Sequence, residues 1–304
     1  MENALESQPT NMKLGVVAAL AAFVFWGFLP LFFKWLETIS AYEIIAHRIL
    51  WSIPLLALFL LIRDGRQVFR KMRLPGKTLG LLGLSGSLVA INWLVFVWAV
   101  NHDRVLSTSL GYFITPLVNV LMGFLFLGER LTRAQFVAMV IAATGTIYLA
   151  WFIGQPPWVA LALAISFGLY GLMRKAMQVG PMTGLLWETL ILGLPAIIFL
   201  IWLEGKQGGQ FISAGLKISL LLVAAGLATV LPLIWYTTAA RQLRMSSIGF
   251  MQYLAPMISF ALAVFLFDEL FSFGHQVAFA CIWIALLIIS AEPLYKARRF
   301  RLPH

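Results

Sequence analysis

Runs of about twenty apolar residues recur along the whole chain, and such runs leave few folds open. Ten are read: Leu14–Phe33, Tyr42–Ile62, Thr78–Val100, Val105–Leu127, Ala134–Phe152, Pro157–Met177, Met182–Leu203, Leu216–Ala240, Ser247–Phe267 and Gly274–Leu294. Each is long enough to cross a bilayer as a helix. Lipid offers backbone N–H and C=O groups no partners, so a spanning segment must satisfy them internally. The period-two alternation of a membrane β-barrel is absent. With 61% hydrophobic and 11% charged residues, the chain has too little polar surface for a soluble domain. The connections are short and leave no room for an inserted one. The first span has no small-residue cleavage site after it, and is expected to stay in the bundle rather than be removed as a signal peptide.

The spans fall into two related halves. The stretch Arg104 to Ala138 aligns without a gap on Arg244 to Ala278, at an offset of 140. Arg104 falls on Arg244, Ser107 on Ser247, Pro116 on Pro256, Glu129 on Glu269, and Val137–Ala138 on Val277–Ala278. Gly86 falls on Gly226 at the same offset, and an offset of 141 places Gly27 on Gly168, Lys34 on Lys175 and Pro54 on Pro195. Repetition of this kind marks a duplicated structural unit.

Charge sets the orientation. Of the 22 Lys and Arg residues, seventeen fall on one side of the membrane: Lys13, the six from Arg63 to Lys77, Arg130, Arg133, Arg174, Lys175, Arg241, Arg244 and four in the C-terminal tail. Lys34, Arg104, Lys206 and Lys217 lie on the other side, and Arg48 lies within a span. By the positive-inside rule both termini are cytoplasmic. The net charge of +10 is therefore a topology signal with contact to anionic membrane lipids, rather than a nucleic-acid footprint. Five spans per half is an odd number, so the halves enter the membrane from opposite sides. The expected fold class is an all-α polytopic membrane protein: ten transmembrane helices as two inverted five-helix repeats, 14–152 and 157–294. Cytoplasmic tails at 1–13 and 295–304 complete the chain. Inverted repeats of this kind place a ligand site near the midplane, between the halves.

Polar residues inside the spans mark where that site is expected. Glu43 and His47 share one face of span 2 with Trp51, at i, i+4 and i+8, and Arg48 lies beside them. Ionisable groups are costly there and point to function. The 141 offset places Glu188 of span 7 on His47, with His47 in the outer third of the membrane and Glu188 in the inner third. Glu43, His47, Arg48 and Glu188 are therefore expected to couple transport to ions, His47 and Glu188 as proton sites facing opposite sides. The alternative for Glu43 is a static pair with His47 or Arg48. A substrate cavity is expected from Trp26, Asn92, Trp93, Tyr112, Tyr170, Trp235, Tyr236, Gln252 and Tyr253, whose flat apolar faces and polar edges suit amphipathic ligands. Lys34, Arg174 and Lys175 are expected to snorkel to the interface. Thr132 with Gln135 reads as a capping box, and Ser272 with His275 repeats the spacing. Glu129 and Glu269 read as structural, bonding loop amides or basic neighbours.

Several of these segments carry a resemblance: FWGFLPLFFK, EIIAHRILWS, NWLVFVWAVN, SLGYFITPLVNVLMGFLFLGERL, SFGLYGLMRK, ETLILGLP and MQYLAPMISFALAVFLFDE. From Leu14 to Tyr295 the chain resembles the EamA branch of the drug/metabolite transporter superfamily. The resemblance implies ten spans, two repeats and carrier-type transport in the bacterial inner membrane. Similar sequences often have an acidic residue in place of Ser107 and Asn in place of Thr115, so no coupling role is implied for those two positions.

The expected function is secondary-active transport of a small amphipathic metabolite or drug by alternating access, in the direction of export. The alternative is a channel or lipid-moving scaffold without ion-coupled transport. An enzyme is not expected: there is no HExxH, GxSxG or Walker sequence. His47, His102, His275 and His304 are scattered, and Cys281 is the lone cysteine, so no cofactor, metal site or internal disulfide is expected.

Overall fold

The computed structural model describes residues 12–127, 131–154, 156–177, 179–206, 208–242 and 251–299. All regular structure among them is helical. The helices are α1 (Met12–Lys34), α2 (Ala41–Asp64), α3 (Gln67–Lys71), α4 (Gly76–Asn101), α5 (Val105–Leu127) and α6 (Arg133–Ile153), followed by α7 (Trp158–Ala176), α8 (Pro181–Gly205), α9 (Leu216–Gln242), α10 (Leu254–Phe265) and α11 (Phe273–Arg299).

Seven of these are long and apolar enough to cross a membrane: α1, α2, α4, α5, α6, α8 and α9. Three more are apolar but shorter, Trp158–Arg174 within α7, Leu254–Phe265 and Phe273–Ile289. The chain is a multi-pass membrane protein. Ten spans of full length were expected; seven are found among the described residues, and three apolar helices are shorter. The apolar part of α7 ends at the basic pair Arg174–Lys175, and α10 follows 243–250, which lie outside the described residues. The basic linker after α2 folds around the one-turn helix α3. Many large apolar side chains face outward, among them Ile62, Trp151, Leu194, Ile201, Phe265 and Leu287. Such a surface suits hydrocarbon and would be a liability in water.

Helix packing repeats itself between the halves. The sequence aligns α1 with α7, α2 with α8, α4 with α9, α5 with α10 and α6 with α11. Helix α1 packs on α9 and α10; its counterpart α7 packs on α4 and α5, the counterparts of those two. Helix α2 packs on α9 and α8 on α4, again a matched pair. Three contacts join a helix to its own counterpart: α2 with α8, α5 with α10 and α6 with α11.

Small residues make these approaches possible, as expected where helices associate by close packing. A methyl group at Gly27 would lie 2.7 Å from Ile258 Cβ, and one at its counterpart Gly168 would lie 2.7 Å from a methyl of Val118. The positions 118 and 258 are themselves aligned. Ser109 donates to the Pro256 carbonyl at 2.8 Å across the α5–α10 contact, and Ser259 donates to the Gly27 carbonyl at 3.1 Å across α10–α1. Thr132 and Gln135 form the capping box of α6, as expected. Ser272 Oγ lies 2.8 Å from His275 Nδ1 at the start of α11. The readings for Glu129 and Ser247, and for the side chain of Lys175, lie outside the described residues.

Candidate functional site

The ionisable side chains buried in the bundle form two groups, one carried by α2 and one centred on α8. The first is held by α2. Its helical spacing puts Glu43, His47 and Trp51 on one face, and the chain after α8 comes back over that face. Glu43, 1% exposed, accepts the Gln210 amide at 2.8 Å. The His47 ring stacks on Phe211 with centroids 4.6 Å apart. Trp51 Nε1 donates to His47 Nδ1 at 3.3 Å, which leaves the proton of a neutral imidazole on Nε2. That nitrogen is buried and has no hydrogen-bond partner among the described residues.

Arg48 points the other way, into the space between α1, α4 and α9. Its Nε donates to Thr229 Oγ1 at 2.6 Å. Its guanidinium lies 4.3 Å from the Trp93 ring centroid and 5.7 Å from that of Phe33, as cation–π contacts. The rings continue from Phe33 to Phe96 (6.0 Å) and from Phe96 to Tyr112 (5.9 Å).

The second group is centred on Glu188 of α8, 1% exposed. Its carboxylate accepts Ser85 Oγ from α4 at 2.6 Å and Tyr170 Oη from α7 at 3.3 Å. Arg174 Nη1 lies 3.5 Å away. Arg174 was expected at the interface; it turns inward instead, because Glu188 offers a buried counter-charge one helix away. It also donates to the Gly180 and Pro181 carbonyls, tying down the α7–α8 turn. Lys34 does sit at the edge of the bundle, where it pairs with Asp103 (2.5 Å) and Glu37 (3.5 Å).

The ion-coupling set therefore separates. Among the described residues no ion pair joins Glu43 to His47 or Arg48; Glu43 holds a loop amide. His47 and Glu188 occupy aligned positions in the sequence, but their packing differs by a helical turn. A Cβ at Gly86 would meet Glu188, whereas one at the matching Gly226 would meet Trp51 and Ser52, the next turn after His47.

The residues expected to line a cavity also divide. Trp93 and Tyr112 belong to the aromatic run around Arg48. Trp26 and Tyr236 pack together with Phe23 across α1–α9, at 5.9 Å between the two, and Trp235 meets Phe25 at 5.9 Å. Tyr253 stacks on Phe113 at 6.4 Å. Gln252 is half-buried beside it. Tyr170 binds Glu188. Asn92 clamps α4 to α7 through bonds to the Leu163 carbonyl and Ser166 Oγ, both at 3.0 Å. Sequence reasoning missed Phe33, Phe96 and Thr229 as neighbours of Arg48, because only the fold brings them to α2. It also missed Ser85 and Arg174 as partners of Glu188. The 141 offset gave a hint for Arg174, since it neighbours the position aligned with Lys34.

Known proteins resemble the chain over most of its length. The EamA-like transporter family matches the chain twice, over residues 13–151 and 157–291. Protein RarD of Salmonella typhimurium is 44% identical over 288 residues, covering 94% of this chain and 98% of that one. Protein RarD of Escherichia coli K12 is 39% identical over 94% of this chain and 97% of its own. An uncharacterized transporter of Vibrio cholerae is 44% identical over 96% and 97%. A solved crystal structure shares the fold at a TM-score of 0.61 and 18% identity, covering 91% of this chain and 97% of that one.

Proposed function

Since the chain belongs to the EamA-like transporter family and is a membrane transporter, we propose that it is a secondary carrier of small amphipathic organic molecules, working by alternating access and in the direction of export. It lies in the bacterial inner membrane with both termini in the cytoplasm. Its ten helices form two five-helix repeats, 14–152 and 157–294, inverted with respect to one another. The observation that carries this reading is the matched packing of the two halves around the α2–α8 contact. Two units with interchangeable partners have two near-equivalent arrangements, which is what a rocking carrier needs. The double family match supports the repeat, and the one-sided basic residues support the orientation.

In this reading the buried polar groups of α2 and α8 have separate roles. Arg48 and the aromatic run contact the substrate. His47, with a free buried nitrogen, and Glu188, with its three partners, take and release protons as their sides open to water. Burial of such groups is costly enough to demand a use.

The test is counterflow in proteoliposomes, using an amphiphile first found to stabilise the purified protein. Saturable uptake that accelerates with unlabelled substrate on the opposite side is expected. Non-saturable flux without acceleration would indicate a channel and overturn the reading.

A further inference from the structure

Arg48 is a charge without a counter-charge. It is 4% exposed and lies within a span. Two other basic groups at the ends of the spans are matched: Lys34, at the edge of the bundle, with Asp103 and Glu37, and Arg174 with Glu188. The buried carboxylates are equally committed, Glu43 to the Gln210 amide and Glu188 to Ser85, Tyr170 and Arg174. Among the described residues none lies within 4.0 Å of Arg48.

Its donors are mostly unused as well. Guanidinium carries five N–H groups in a planar fork. Nε uses one on Thr229, whose own hydroxyl is passed on to the Ala225 carbonyl at 3.0 Å. The terminal nitrogens make no hydrogen bond to the described residues. A buried, unpaired and under-bonded cation is unfavourable unless something else supplies the acceptors. The faces of Trp93 and Phe33 attract the charge without filling its fork.

We infer that Arg48 is the anchor of an organic-anion site: its fork takes a carboxylate, and the run of Trp93, Phe96 and Tyr112 takes a flat apolar body attached to it. The inference deepens the carrier reading and rests on it. A carboxylate matches the fork bidentately, which a neutral amide does not and a cation cannot. The Thr229 bond and the Trp93 face fix the plane of the fork before the ligand arrives, so less ordering remains to be done on binding.

The test uses the full-length protein in detergent micelles and three matched probes: phenylacetate, phenylacetamide and phenethylamine. A dose-dependent rise in Tm is expected with phenylacetate alone. Arg48→Gln is expected to abolish it, and Arg48→Lys to weaken binding on the order of tenfold, because charge remains while the fork is lost. If Arg48→Gln does not fold, the lysine variant carries the test. Equal shifts from the amide or the amine, no shift from phenylacetate, or undiminished binding in the variants would overturn the anion site. Stabilisation without phenylacetate counterflow would leave the anion site standing and remove the carrier reading. Counterflow of another compound, with no stabilisation by phenylacetate, would do the reverse.

Discussion

Glu269 reaches from the turn between α10 and α11 to the first turn of α5, where its carboxylate accepts the Leu106 amide at 2.8 Å and the Val105 amide at 2.5 Å. The first amides of a helix have no partner within it, and the helix dipole favours an anion beside them. Asp268, at φ 50°, turns the chain so that Glu269 can aim at α5, while the Glu269 amide donates to the Ala263 carbonyl at 2.9 Å. An acidic residue of the second repeat thus caps a helix of the first. Replacing it with alanine should lower stability by about 1 kcal/mol, typical for a lost helix cap. Unfolding of Glu269→Ala against wild type measures this directly.

The same carboxyl should leave a mark on the pH dependence of stability. Burial pushes it above its ordinary value of 4.5, although the two amides pull it back. The folded protein therefore holds this proton to higher pH than the unfolded chain does. Wherever the unfolded state binds fewer protons, stability falls as pH rises. The contribution is full below 4.5, declines through the raised value, and is level once the carboxylate is ionised. Glu269→Gln has no such step. Plotting the Tm difference between the two proteins from acid to neutral pH should show one; a flat difference would mean that the carboxyl is unperturbed.

Gly226 and Gly171 should respond oppositely to the same change. A Cβ at Gly226 would lie 2.6 Å from the Trp51 carbonyl carbon, in the α2–α9 contact. Nothing lies within 4 Å of one at Gly171. Gly226→Ala should lose about 1–3 kcal/mol through forced separation of the helices. Gly171→Ala, at an exposed helical position, should gain up to ~1 kcal/mol from helix propensity. Paired unfolding curves decide it, and similar losses in both would contradict the packing described.

Orientation can be read by labelling. With Cys281 replaced by Ser, a cysteine at Arg70 in the basic α3 segment should resist an impermeant thiol reagent added to intact cells, and react once the membrane is opened. Reaction in intact cells would place the termini outside.

His47 and Glu188 should carry the response of transport to a proton gradient. In proteoliposomes, His47→Ala and Glu188→Gln are each expected to keep counterflow while losing acceleration by the gradient. Wild-type behaviour in both would leave the two side chains with a purely structural role.

Much was legible in the residues alone because it depends on what each residue costs in lipid. Twenty apolar side chains cross the bilayer wherever they sit in the chain, and a lysine or arginine stays on the cytoplasmic side for reasons carried in its own charge. The long apolar helices follow from that, whereas the short helix α3 did not; the repeat was read separately, from Pro116 with Pro256 and Gly86 with Gly226. Helix ends were equally local: Thr132 and Gln135 are three residues apart and cap α6 as their spacing requires. Partnerships were not legible, because they join residues far apart and depend on which way each side chain leaves its helix. Glu43 faced His47 and Arg48 by spacing, yet bonds the Gln210 amide, which a loop from α8 brings to it. Arg174 looked like an interfacial charge until α7 and α8 placed it beside Glu188. Arg48 had acidic neighbours in sequence and finds Thr229, Trp93 and Phe33 instead. Only the way α1, α4 and α9 gather around the Arg48 side chain decides that, among the described residues, it stands without a carboxylate, since a charge deep in the bundle can reach no partner that the helices around it do not carry.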